Sequence, residues 1–212
     1  MMTGSETNMI IGTQWGNEGK GRIADFIANR SDVVVRFQGS SNGGRTILAC
    51  GEKYRIGYLP TGIPHDGKNC LICGGVTLNL EKVSDEIAML KEAGVLKARL
   101  TISKSCHLIL DYHKKLDVLD GRIFGHDRNM TMTEQGFGHC CSDKYRRMGI
   151  RAVDLLRPDI LHDKIKEVLA VKNEYFTKIY GEKPIDPDEL YKKCLRLGEW
   201  LIPYIGDPEE IV

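Results

Sequence analysis

Short apolar runs separated by glycine-rich polar stretches recur along the first part of the chain. Met9-Ile-Ile11 ends at Gly12 and has the form of a buried parallel strand feeding a loop. Val33-Val-Val-Arg-Phe37 predicts a second strand, and between the two Lys20 to Asn29 places Ile23, Phe26 and Ile27 at helical spacing. Strand, glycine loop, helix and strand in that order make a βαβ crossover.

Further along, Asn79 is placed to cap a helix whose Val83, Ile87 and Leu90 fall on one face, with Gly94 where a helix end wants a left-handed residue. Leu100-Thr-Ile102 and Leu108-Ile-Leu110 predict strands, the second leading through Asp111 into a short helix ending near Asp120. From Gly121 to Gly149 periodicity fades and glycines multiply, the pattern of a long loop. After Arg157-Pro158, Ile160, Leu161, Ile165, Val168, Leu169 and Phe176 mark a long helix. A final helix is predicted from about Asp188 to Leu201, behind Pro184 and Pro187. The expected fold class is α/β, a mostly parallel P-loop-NTPase-like sheet with flanking helices and a C-terminal helical lobe. The expected division is a nucleotide-binding domain over residues 1–156 and a helical lobe over 157–212 packed on it, or a single domain that includes both.

Composition narrows the partners. Thirty basic against twenty-nine acidic residues give a net charge of +1 over 212 residues, without the basic field that draws nucleic acid or anionic membrane. No apolar stretch approaches membrane-spanning length, and the polar first eight residues lack a signal-peptide pattern, so a cytoplasmic location is expected. Seven cysteines without secretory context read as reduced thiols, and Cys70-Leu-Ile-Cys73, embedded in an apolar run, reads as packing and not as a metal or redox pair. The six histidines show no metal-ligand spacing and read as surface or loop residues, with His139 alone near the expected site.

Candidate chemistry concentrates in two glycine-rich loops. Gly12-Thr-Gln-Trp-Gly-Asn-Glu-Gly-Lys-Gly-Arg22 opens a helix, the setting in which backbone N–H groups and the helix N-terminus hold phosphate and Lys20 adds a point charge. It departs from a Walker A sequence, because Gln14 stands where the first glycine would fall and Gly21 replaces the magnesium-binding Ser or Thr. Gly39-Ser-Ser-Asn-Gly-Gly-Arg-Thr46 follows the second strand, so both loops are expected at the carboxyl ends of parallel strands, where α/β sheets bind ligands.

Gly12 to Gly21, Val33 to Gly39, Asn42-Gly-Gly-Arg-Thr46 and Gly51-Glu-Lys-Tyr54 resemble adenylosuccinate synthetase, and the similarity extends through Leu59-Pro-Thr-Gly-Ile63, the helix after Asn79, the Gln135 to Gly149 loop and Asp154-Leu-Leu156. The resemblance implies a ligase that joins aspartate to the purine of IMP, with Mg2+ and GTP as cofactors and purine nucleotides as partners. It implies nucleotide-binding roles for Gly16, Glu18, Gly19, Gly21, Gly44 and Thr46, catalytic positions at Asn17, Lys20 and Arg45, and metal contacts at Asn17 and Gly44. Asn42, Thr133 and Arg147 match residues that hold the IMP phosphate and ribose. Arg147 matches a residue that reaches across a dimer interface, which implies a homodimer or association with another synthetase-like chain.

Two positions depart from the family pattern. Asn17 stands where the family has the Asp that acts as general base and magnesium ligand, and Arg45 where it has a His at the transferring phosphate. A carboxamide has no basic electron pair for the purine proton, and a lost base costs about a hundred- to ten-thousand-fold in rate. Thr133-Glu-Gln-Gly-Phe-Gly-His139 also lacks an arginine and a proline of the family loop. Family members are longer, their further half carrying the aspartate loop and guanine recognition. The expectation is therefore a nucleotide-binding protein without full synthetase activity by itself. The alternatives are a GTP-dependent ligase on IMP or a related purine monophosphate, completed by a second chain, and a phosphotransferase using Arg45.

Overall fold

The computed structural model describes residues 6–14, 18–40, 44–124 and 135–211. A parallel sheet organises the chain: β1 (Val33–Gly39), β4 (Asn69–Asn79), β5 (Arg99–Ser103) and β7 (Ile205–Gly206) lie side by side in that order. The long β4 also pairs in parallel, through Thr77 to Asn79, with β6 (His107–Ile109). An antiparallel hairpin of β2 (Arg45–Ala49) and β3 (Glu52–Ile56) stands apart from the sheet. Cys50 and Gly51 turn it with φ of 52° and 82°.

The expected α/β architecture, with helices flanking a mostly parallel sheet, is thus present. Helix α1 (Lys20–Ala28) precedes β1, and α2 (Leu80–Glu92) follows β4 directly. The α2 cap is as expected: Asn79 accepts from the Lys82 amide at 3.3 Å, Val83, Ile87 and Leu90 are buried, and Gly94 has φ 67°. Helices α3 (Asp111–Phe124), α4 (Phe137–Tyr145), α5 (Pro158–Glu174, continued by a π-helical turn at Tyr175–Ile179) and α6 (Pro187–Gly198) complete the framework. Leu78, Ile87, Leu108, Leu161, Phe176 and Cys194 belong to one continuous buried cluster.

Three expectations change. Met9–Ile11 is not a strand: the segment is irregular, with Met9 73% and Ile11 64% exposed, and no described strand pairs with it. Three apolar residues without a neighbouring ladder leave their backbone groups to water. The region from Gly121 to Gly149 is not one long loop, since α3 continues to Phe124 and α4 lies within it. The α4 signal was hidden because its inward face is Cys140 and Asp143, a small thiol and a carboxylate, in place of a hydrophobic stripe. His113 is no surface histidine; it is fully buried.

Candidate active site

Arg36, in an apolar strand, faces inward where β1 loses its regular pairing to β4. Register shifts between Arg36, opposite Ile72, and Gln38, opposite Gly75. A side chain at Gly75 would collide with the Phe37 carbonyl, so glycine permits this close approach of the two strands. The shift lies at the carboxyl end of β1, where the second glycine-rich segment begins.

From there a strap of three residues, Gly57-Tyr58-Leu59, is held from both sides. The Glu86 carboxylate on α2 accepts from the amides of Gly57 (2.7 Å), Tyr58 (2.9 and 3.1 Å) and Leu59 (3.1 Å). On the other side, Arg36 donates to the carbonyls of Gly57 and Ser40, and Arg45 Nη1 donates to the Leu59 carbonyl at 3.2 Å. The Tyr58 hydroxyl accepts from the Asn79 amide at 2.8 Å and lies 3.2 Å from Ser40 Oγ, tying the strap to the cap of α2.

Burial is the main influence on the charges here. It lowers the Arg36 guanidinium to about 9, helped by the neighbouring Arg45 and opposed by Tyr58 and Glu86. It also lowers Arg45, against the attraction of Glu86. Burial raises Glu86, while the strap amides and Arg36 act in the opposite sense. Arg36 is only 8% exposed, and among the described residues its Nε has no partner.

The first glycine loop meets this network through Arg45. A Cβ placed on Gly21 would lie 3.1 Å from Arg45 Cβ and 3.2 Å from its Cγ, so the arginine stem runs against the first turn of α1. Gly19, with φ 81°, turns the chain into that helix, a conformation suited to glycine. Lys20 pairs with Glu18, whose other oxygen accepts from the Gln14 amide at 2.6 Å. Both side chains lie against Gly12, where a side chain would collide with them. The hydrogen bond from Lys20, then that from Gln14, holds the Glu18 carboxyl below the usual carboxylate range. Gly44 adjoins Arg55, whose Nε would be 3.0 Å from a Cβ there, and Thr46 is exposed on β2 opposite Arg55.

Lys20, Glu18, Gly19, Gly21, Gly44, Arg45 and Thr46 thus share one neighbourhood. Gly16, Asn17, Asn42 and Thr133 lie outside the described residues. Arg147 is exposed on the turn after α4, at φ 62°, and among the described residues it shares no hydrogen bond with either glycine loop. His139, expected near the site, pairs with Asp120 at 3.1 Å. The expectation that both loops end parallel strands holds for the second alone, since Met9–Ile11 forms no strand. Lys20, Arg45 and Arg55 give the two loops a cationic lining, which suits phosphate. Arg55 puts positive charge beside Gly44, so a magnesium ion held there would need accompanying phosphate oxygens to offset it.

Sequence reasoning missed Arg36, Glu86, Tyr58 and Ser40. A signal existed for two of them: Glu86 stands three residues after Val83 and beside Ile87 on the buried stripe of α2, and Arg36 interrupts an apolar strand. Charged residues at inward positions call for buried partners.

Residues 9–212 match the family model described as adenylosuccinate synthetase. The chain is 43% identical over 201 residues to adenylosuccinate synthetase from Nitratidesulfovibrio vulgaris, covering 94% of this chain and 47% of that protein. It is 41% identical over 206 residues to the enzyme of that name from Acetivibrio thermocellus, covering 97% and 48%. Fully ligated adenylosuccinate synthetase from Plasmodium falciparum superposes with a TM-score of 0.79 at 25% identity, covering 94% of this chain and 46% of that one. The chain spans about half the length of the curated relatives it matches.

Proposed function

This chain belongs to the adenylosuccinate synthetase family, and from that premise we propose that it binds purine nucleotides by their phosphates while lacking full synthetase activity by itself. The observation that carries the reading is the packing of Arg45 against Gly21, which brings the second glycine segment onto the N-terminal turn of α1 beside Lys20. The N–H groups at that turn, together with the helix dipole, favour an anion, and Lys20 and Arg45 add two cations that bind phosphoryl oxygens.

In this reading Gly16, Glu18, Gly19, Gly21, Gly44 and Thr46 line the triphosphate, and Asn42, Thr133 and Arg147 hold a purine monophosphate. Glu18 keeps Lys20 folded over Gly12 until phosphate competes for the ammonium. Magnesium, where it binds with GTP, would be held by the Asn17 amide oxygen and the Gly44 carbonyl and would neutralise phosphate charge. Asn17 cannot accept the purine proton, and Arg45, a permanent cation, supports phosphoryl charge without serving as a proton donor. The exposed Arg147 serves a second copy in a homodimer or another synthetase-like chain, in the cytoplasm.

Phosphate release from GTP in the presence of IMP, aspartate and magnesium tests the silent reading. The expected rate is at least about a hundredfold below that of the Nitratidesulfovibrio vulgaris relative measured alongside, as for loss of a positioned base. Aspartate-dependent release at a comparable rate contradicts it and favours the second reading, a ligase acting on IMP or a related purine monophosphate. The substantial identity to named synthetases, 43% over 201 residues, is the observation behind that second reading.

A further inference from the structure

Among the described residues the Arg45 side chain makes one hydrogen bond, to the Leu59 carbonyl at 3.2 Å, and Leu59 is not free to choose where that carbonyl lies. Its amide, like those of Gly57 and Tyr58, is taken up by Glu86 from α2. The peptide groups of the strap therefore place amides on the carboxylate and carbonyls on the two guanidiniums. We infer that Glu86 is a positioning residue, which holds Arg45 at the phosphate loops by anchoring Gly57–Leu59 between itself and the two arginines.

Two guanidiniums and one carboxylate share this half-buried region, so Glu86 offsets one positive charge and leaves one for an incoming phosphate. A carboxylate accepting several backbone N–H bonds is a rigid anchor, because both oxygens are committed. A glutamine here would keep one acceptor oxygen, present an NH2 group to amides that also donate, and remove the offsetting charge. The strap would then loosen, and Arg45 would lose the carbonyl that fixes it. Arg36 braces the same strap from the β1 side through Gly57 and Ser40, which explains why a charged residue occupies an inward position of that strand.

The inference rests on the proposed nucleotide-phosphate site, and two readouts separate its failure from the failure of that reading. The first needs no nucleotide: the 15N signal of the Arg45 guanidinium, assigned with Arg45→Gln. A hindered guanidinium in the wild type that rotates freely in Glu86→Gln supports the anchor. Free rotation in the wild type, or an unchanged signal in folded Glu86→Gln, overturns it. The second is a double-mutant cycle on GTP affinity. Glu86→Gln should weaken binding about tenfold in the native background and not at all beyond Arg45→Gln. Additive losses, tighter binding or unchanged affinity overturn the inference, because a general structural role would weaken both backgrounds alike. If Glu86→Gln does not fold, Glu86→Asp, which keeps the charge but is too short to span three amides, carries the same expectations. A wild-type protein that binds no nucleotide refutes the proposed function and leaves the NMR readout to decide the anchor.

Discussion

Single residues here are set by burial more than by residue type. Burial pushes Cys70, Cys106 and Cys194 up to about 12 and Cys140 higher still, whereas Cys50 stands exposed at the hairpin turn. Since the thiolate is the reactive form, iodoacetamide near pH 8 should alkylate Cys50 first, with these four protected until unfolding. Mass spectrometry of a time course checks this, and early labelling of Cys70 or Cys106 would contradict the packing. His107 gives a pH signature: burial, then Lys144 and Arg151, lowers it from 6.5 to about 4. Between those values the unfolded chain binds the proton and the folded one does not, so stability falls as pH drops from 6.5 towards 4. His107→Asn should flatten that slope in denaturant melts across the range; an unchanged slope would assign it elsewhere. The same lesson covers residues hidden from sequence reasoning. His113 has no exposed surface, Lys172 is 4% exposed, and both meet Asp143, at 3.2 and 2.6 Å. Lys172 follows Ile165, Val168 and Leu169 on the buried stripe of α5, where a polar residue signals a partner that lies far away in sequence.

Elements followed from the sequence where local chemistry decided them. The Asn79 cap, the α2 stripe, the proline-led starts of α5 and α6 and the β1 run were all legible. The Asp186 side chain caps α6 by accepting from the amides of Asp188 (2.8 Å) and Glu189 (2.9 Å). Asp186→Ala should therefore cost about 1 kcal/mol in equilibrium unfolding, and a change near zero would mean the cap contributes nothing. Legibility failed where tertiary context decided. Met9–Ile11 carries a strand-like run without a partner among the described residues, and α4 is a helix whose buried face is a thiol and a carboxylate. Helix α1 formed as its spacing predicted, yet Ile23 is 52% and Phe26 66% exposed. An environment-sensitive apolar dye should bind the folded protein there, and Ile23→Ser with Phe26→Ser should reduce its fluorescence. Equal fluorescence in the double variant would place the dye elsewhere.

At the scale of the whole molecule, the α/β order and parallel sheet were readable from alternating strands and helices, whereas the sheet order depends on pairings that no local pattern encodes. Half of the candidate site was legible in the same way. Glycine spacing, Lys20 and Arg45 announced the candidate phosphate loops, while the Arg36–Glu86 network around Gly57 appears only once β1, β3 and α2 converge. Among the described residues no helix is long and apolar enough to cross a membrane, and no cluster of three or more His, Cys, Asp or Glu side chains could hold a metal ion. Phosphate binding by amides and cations is the central proposal for this chain. Calorimetric titration of the wild-type chain and Lys20→Ala with IMP, dGMP, GMP, GTP and ATP, with and without magnesium, tests it most directly. Saturable binding of at least one purine nucleotide is expected, weakened about tenfold or more by Lys20→Ala, as for loss of a charge-assisted contact. Failure of every nucleotide to bind, or binding indifferent to Lys20, would contradict it.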